Sequence, residues 1–190
     1  MEDKTLFTIT VFSENHVGLL NQISIIFTRR CLNIESISAS PCSIRGVHKL
    51  TITCWSDRRS LEKVVQQIEK RIDVLKAFLY TDDDIVYQEV ALYKVSTSQL
   101  LDEKNLEQII RRHNARILEI TREYTVLEKT GHSDETEMLF SELKNYGITQ
   151  FVRSGRVAIT KSATEYVTLF IEEQEKRREN IEKQNNNIDK

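Results

Sequence analysis

The chain has 190 residues, 39% of them apolar and 29% charged, the balance of a globular protein rather than a disordered or fibrous one. Its 27 Lys and Arg against 29 Asp and Glu leave a net charge of −2, so nothing electrostatic points to nucleic acid or an anionic membrane as partner. No apolar run approaches the ~20 residues that cross a bilayer, and the N-terminus MEDKTLFTITVF is acidic and then alternating, unlike a signal peptide. The expected location is the cytoplasm. Three cysteines, Cys31, Cys42 and Cys54, form no C-x-x-C pair and are expected as buried, reduced thiols. His16, His48, His113 and His132 lack metal-ligand spacing, so no metal site is expected.

In chain order, TLFTITVF alternates, with Phe7, Ile9 and Val11 on one face and Thr8 and Thr10 on the other, as a half-buried strand does. From Gly18 the period changes to that of a helix, carried by Leu19, Leu20, Ile23, Ile26 and Phe27 and ending near Cys31. Strands follow at NIESISAS and HKLTITCW, separated by a turn that Pro41 opens. A helix over DRRSLEKVVQQIEKRI carries the stripe Leu61, Val64, Val65, Ile68 and Ile72, and VLKAFLY makes a fourth strand. After TDDDI the same order restarts. YQEVALYKVST is a strand, and LDEKNLEQIIRRH is a helix with Leu106, Ile109 and Ile110 inward. ARILEIT and YTVLEKT are strands, SDETEMLFSELKNYG is a helix closed by Gly147, and ITQFVRSGRVAIT ends the unit with an R-S-G-R turn. FTRRCLNIESIS and IIRRHNARILEIT echo one another, each passing from Arg-Arg into a strand.

The fold class is therefore α+β, two tandem ferredoxin-like βαββαβ units. Expected boundaries are 4–81 for the first, 85–161 for the second and 162–190 for a charged tail, helical and then frayed. The helix-free face of the first sheet, with Thr8, Thr10, Thr51, Thr53 and Trp55, is read as solvent surface or as a surface for another subunit.

The joint ENHVG carries the chemistry. A strand runs into a helix N-terminus, where free N–H groups and the positive end of the dipole attract anions, yet neither a glycine-rich run nor a Lys or Arg is present to hold a phosphate. A single carboxylate needs less. Gly18 admits a ligand to the backbone and Asn15 offers both donor and acceptor, which suits the zwitterion of a free amino acid, while Val17, Leu19 and Leu20 suit an aliphatic side chain. The plainer reading is that Asn15 caps the helix and Gly18 relieves crowding.

ENHVGLLNQISIIFTRRCLNIESISAS resembles the opening of the ACT regulatory domain and, more closely, the small regulatory subunits of acetolactate synthase, also called acetohydroxyacid synthase. The likeness rests on the E-N-x-x-G-x-L joint and on N-I-E-S at the second strand. It continues through IEKRIDVLKA and VALYKVST to ILEITREYTVLEKTG and GITQFVRSGRVAIT, spanning about residues 5 to 160. The resemblance implies an N-terminal ACT amino-acid-binding domain and a C-terminal ACT-like small-subunit domain. It implies a non-catalytic chain, homodimeric through its ACT domains, with no cofactor of its own. The implied partner is the large catalytic subunit, which would carry thiamine diphosphate, magnesium and FAD. The implied role is to activate that subunit and confer feedback inhibition by valine, with leucine or isoleucine as alternative effectors, in branched-chain amino acid synthesis. Matching positions are Asn15, His16, Val17, Gly18, Leu19 and Leu20 from one protomer and Asn33, Ile34, Glu35 and Ser36 from the other. Cys31 stands where the family commonly has Gly.

Rival readings are weaker. A ferredoxin-like acylphosphatase needs an Arg in the first joint, and no Ser-His-Asp, Cys-His or acid/base pair appears. An RNA-binding sheet needs aromatics where HKLTITCW has Thr. A free-standing ACT-type amino-acid sensor or transcriptional regulator with the same joint but another partner is the nearest alternative. STSQLLDEKN, the second joint, lacks Asn-x-x-Gly and is not expected to bind an effector in the same way.

Overall fold

The computed structural model describes residues 4–102, 106–163, 167–172 and 176. In the first unit, β1 (Thr5–Glu14), α1 (Leu19–Thr28), β2 (Ser36–Pro41), β3 (Val47–Ser56), α2 (Arg58–Ile68) and β4 (Val74–Tyr80) build an antiparallel sheet in the order β2-β3-β1-β4. The alternation in β1 explains the layer. Phe7, Ile9 and Val11 meet Ile23, Ile26 and Phe27 of α1 and Leu61, Val64 and Ile68 of α2 in one core. Asp57 starts α2 by accepting a 2.8 Å hydrogen bond from the Ser60 N–H, and the Ser60 hydroxyl together with that N–H holds its carboxyl below the usual carboxylate range. The stripe expected to reach Ile72 stops with the helix at Ile68, and Ile72 is fully exposed in the turn beyond it.

The second unit repeats the plan. β5 (Ile85–Ser96), α3 (Thr97–Asp102), α4 (Leu106–His113), β6 (Arg116–Ile120), β7 (Tyr124–Gly131), α5 (Ser133–Leu143) and β8 (Ile148–Arg153) give the strand order β6-β7-β5-β8. Helix begins at Thr97, earlier than the apolar pattern suggested, and Ile109 is buried as expected, whereas the Leu106 side chain lies outside the described residues. The echoed Arg-Arg segments end their helices alike. Cys31 and Asn114 take left-handed conformations with φ of 53° and 50°, and the Leu32 and Ala115 N–H groups reach back to the Phe27 and Ile110 carbonyls. Gly147, with φ of 66°, follows α5 through a short 3₁₀ turn, Lys144–Tyr146. Cys31 is exposed and Cys42 half-buried, so burial holds only for Cys54, whose thiol pKa burial pushes up.

The R-S-G-R segment does not reverse the chain. β8 pairs antiparallel with residues 91–95 of β5, and β9 (Val157–Thr160) continues along the same strand, pairing with residues 85–88 after a one-residue change of register. Ser154 fills the break by donating its N–H to the Val90 carbonyl and accepting the Val90 N–H on its hydroxyl. A reversal here would have released the pairing of β5 residues 85–88, which the bulge preserves.

That continuation covers the helix-free face of the first sheet. Thr8, Thr10, Thr51 and Thr53 are all at most 4% exposed. Arg156 donates to the Thr8 hydroxyl and to Asp82 and stacks 3.8 Å over Tyr87, while Lys49 donates to the Ala158 carbonyl. A side chain at Gly155 would stand 3.1 Å from the Ile37 carbonyl group, so glycine is what permits β2 and the bulge to touch. Farther along, Val167 and Ile171 from helical residues 167–172 pack with Phe12, Val47 and Phe78. The face read as solvent or subunit surface is thus covered by the chain's own second unit and tail, and only Trp55 remains half-exposed. The expected fraying of the tail concerns residues outside those described.

Candidate functional site at the first strand–helix joint

β1 ends at Glu14, and residues 15–18 turn the chain into α1. Gly18 is the N-cap with φ of 90°, in the left-handed region where an L side chain costs roughly 1–2 kcal/mol. No atom lies within 4 Å of where its Cβ would stand, so the need for glycine is conformational and the space above it is open. Gly18→Ala should therefore lower stability by about 1 kcal/mol in urea unfolding through backbone strain alone; an unchanged midpoint would contradict this.

Asn15 does not cap the helix. No side chain caps α1, the Asn15 amide has no partner among the described residues, and the Leu20 and Asn21 N–H groups have no acceptor among them. Two main-chain donors at the positive end of a ten-residue helix thus lack an acceptor among the described residues, as does the Asn15 amide three positions before the N-cap. Val17 and Leu20 stand exposed beside them, whereas Leu19 turns inward at 5% exposure and belongs to the core.

His16 fixes the turn. Its Nδ1 lies 2.5 Å from the Asp73 carboxylate, and the Glu14 N–H donates to the Asp73 carbonyl at 2.9 Å. The hydrogen bond and charge of Asp73 raise the His16 pKa above its ordinary 6.5. Because the folded-state value is the higher one, this link is complete below pH 6.5 and is lost as pH climbs through the raised value. NMR titration should show His16 protonating above 6.5 and returning toward it in Asp73→Asn; identical titrations would refute the pairing. Asp73 was not legible as a site residue, since 57 positions separate it from its partner.

The second group of candidate residues lies elsewhere. Asn33 and Glu35 are exposed and Ile34 packs partly into the core. The Glu35 N–H donates to the Thr53 carbonyl, and the Ser36 hydroxyl shares a 2.6 Å hydrogen bond with that of Thr53. Ser36 pairs with Thr53 and Thr53 with Thr8, while the joint begins at Glu14 opposite Val47. Six residues of β1 at about 3.4 Å each put the two groups roughly 20 Å apart within one chain. β2 is an edge strand whose exposed residues include Ile37.

The second joint is closed. Thr97 starts α3 directly after β5, is buried, and exchanges a 2.9 Å hydrogen bond with Thr125. Among the described residues no cluster of His, Cys, Asp or Glu could hold a metal ion, and no helix is long and apolar enough to cross a membrane.

Comparison with known proteins identifies the family. Residues 9–76 match the family model described as the AHAS small subunit-like ACT domain, and residues 88–162 match that of the small subunit of acetolactate synthase. The acetolactate synthase small subunit of Bacillus subtilis is 35% identical over 159 residues, covering 83% of this chain and 91% of that protein. The small subunit of Mycobacterium bovis is 30% identical over 166 residues, covering 85% and 95%. A crystal structure of the small subunit from Thermotoga maritima shares the fold with a TM-score of 0.75 at 24% identity, covering 84% of this chain and 99% of that one. Both units therefore match, in order and over nearly the whole length of the relatives: the chain belongs to the acetolactate synthase small-subunit family.

Proposed function

We propose that this chain is the non-catalytic regulatory subunit of acetolactate synthase, raising the activity of the catalytic subunit and imposing feedback inhibition by valine. In this reading thiamine diphosphate, magnesium and FAD belong to the catalytic partner. The observation that carries the reading is the uncapped N-terminus of α1 at the end of a turn whose Asn15 amide has no partner among the described residues, with Asn33 at the far end of the same sheet.

One protomer cannot close such a site, but a two-fold can. If the edge strands β2 of two chains run antiparallel, the Ser36 end of one comes beside the Pro41 end of the other, where the joint lies. The ligand carboxylate takes the Leu20 and Asn21 N–H groups, the amides of Asn15 and the other protomer's Asn33 hold the zwitterion, and Val17 and Leu20 meet the aliphatic side chain. Regulation follows by linkage. An effector that bridges protomers favours one dimer arrangement, and a coupling of about 1–3 kcal/mol gives a 5- to 150-fold response in the catalytic partner.

Reconstitution with the catalytic subunit tests this. Activity should rise on adding the chain and fall on titrating valine, with leucine or isoleucine as weaker effectors. No activation and no response to any of the three would refute the proposal and favour a sensor with another partner.

A further inference from the structure

The joint has two sides. α1 lies on one; on the other, a cavity of about 580 Å³ opens between Glu14 at the end of β1, Arg45 in the β2–β3 turn, Leu75 in β4 and the tail residues Phe170 and Ile171. Its size falls within the roughly 300–1,000 Å³ usual for small-molecule sites. The tail wall is firmly seated, since Val167 is 1% exposed and packs with Ile171 on Phe12, Val47 and Phe78. Residues 167–172 lie past residue 162, where the family match ends.

The chemistry of the lining is selective. Arg45 is exposed and forms no ion pair among the described residues, and Glu14 supplies a carboxylate, so both signs of charge stand over an apolar floor of Leu75, Phe170 and Ile171. A guanidinium binds a carboxylate through two parallel N–H donors, and a carboxylate takes an ammonium group, so opposite charges at one mouth suit a zwitterion. Asn15 and His16 also line it, which places the cavity against the same turn as the proposed bridging site.

We propose that this cavity is a second amino-acid site, formed within one chain and completed by the C-terminal segment, which takes an aliphatic α-amino acid with its carboxylate on Arg45, its ammonium on Glu14 and its side chain on the tail residues. It is distinct from the site bridging two protomers, because it uses neither Asn33 nor the N-terminus of α1. Its occupancy and the seating of the tail are coupled, since Phe170 and Ile171 serve both.

Calorimetric titration of the reconstituted complex with leucine, isoleucine and valine separates the two sites. In Asn33→Ala, which disables the bridging site, one binding event per chain should remain. Arg45→Gln added to that background should weaken it at least tenfold, and Phe170→Ala should weaken it too. Absence of any residual event in Asn33→Ala overturns the proposal, as does residual binding indifferent to Arg45→Gln. If Asn33→Ala retains two events, the bridging reading fails; the cavity then stands if Arg45→Gln removes one of them and falls if it removes neither.

Discussion

Asn15→Ala and Asn33→Ala should each raise the valine concentration for half-inhibition by roughly 10- to 100-fold while activation of the catalytic subunit stays near its original level. The size follows from a hydrogen bond to a charged group, about 1.5–3 kcal/mol, with 1.4 kcal/mol to each factor of ten. The selectivity follows from position. Asn15 is exposed, caps no helix and bonds to nothing among the described residues, so its removal leaves the fold intact. Activity assays with and without valine separate the two effects. Loss of activation with unchanged inhibition would contradict the assignment of both residues.

Arg156→Met should have the largest effect on stability. The Arg156 side chain is buried, donates to both Asp82 oxygens and to Thr8, and stacks on Tyr87, so it links the first sheet to the second unit at one point. Asp82 is half-exposed and rehydrates when its partner goes, which keeps the loss below that of a stranded buried charge. The forked pair with Asp82, discounted for the exposure of that carboxylate, the Thr8 hydrogen bond and the stacked cation together contribute about 2 kcal/mol, or roughly 4–8 °C in Tm for a chain of this length. Arg156→Lys retains the charge without the forked geometry and should fall between the two. Thermal unfolding checks this, and an unchanged Tm in Arg156→Met would show that the units are held together elsewhere.

Local pattern made most of the fold legible. Alternation in β1 and β3 and the 3.6-residue period of α1 and α2 are set by which side chains meet the core, and the repeat showed in the echoed Arg-Arg segments, which do end in the same left-handed turn. Long-range contacts were not legible. The threonine face of the first sheet looked like surface because β-branched polar residues suit an exposed strand, and only the return of β9 and residues 167–172 over it explains its burial. R-S-G-R has the composition of a turn, but the register of β5 extends it into a bulge. The joint was read from Asn15 and Gly18 in their order along the chain. Its anchor Asp73 and the neighbouring Arg45 and Phe170 come from distant segments, and no local spacing announces them.

The central claim is that one effector is held by Asn15 of one protomer and Asn33 of the other. Mixed dimers of an Asn15→Ala chain with an Asn33→Ala chain, reconstituted with the catalytic subunit and titrated with valine, test it most directly. A bridging site predicts that each mixed dimer regains one intact bridging site, half the wild-type number of such sites, and with it inhibition by valine. Mixed dimers as insensitive to valine as either parent would contradict the account, because a site built within single chains cannot be restored by exchange.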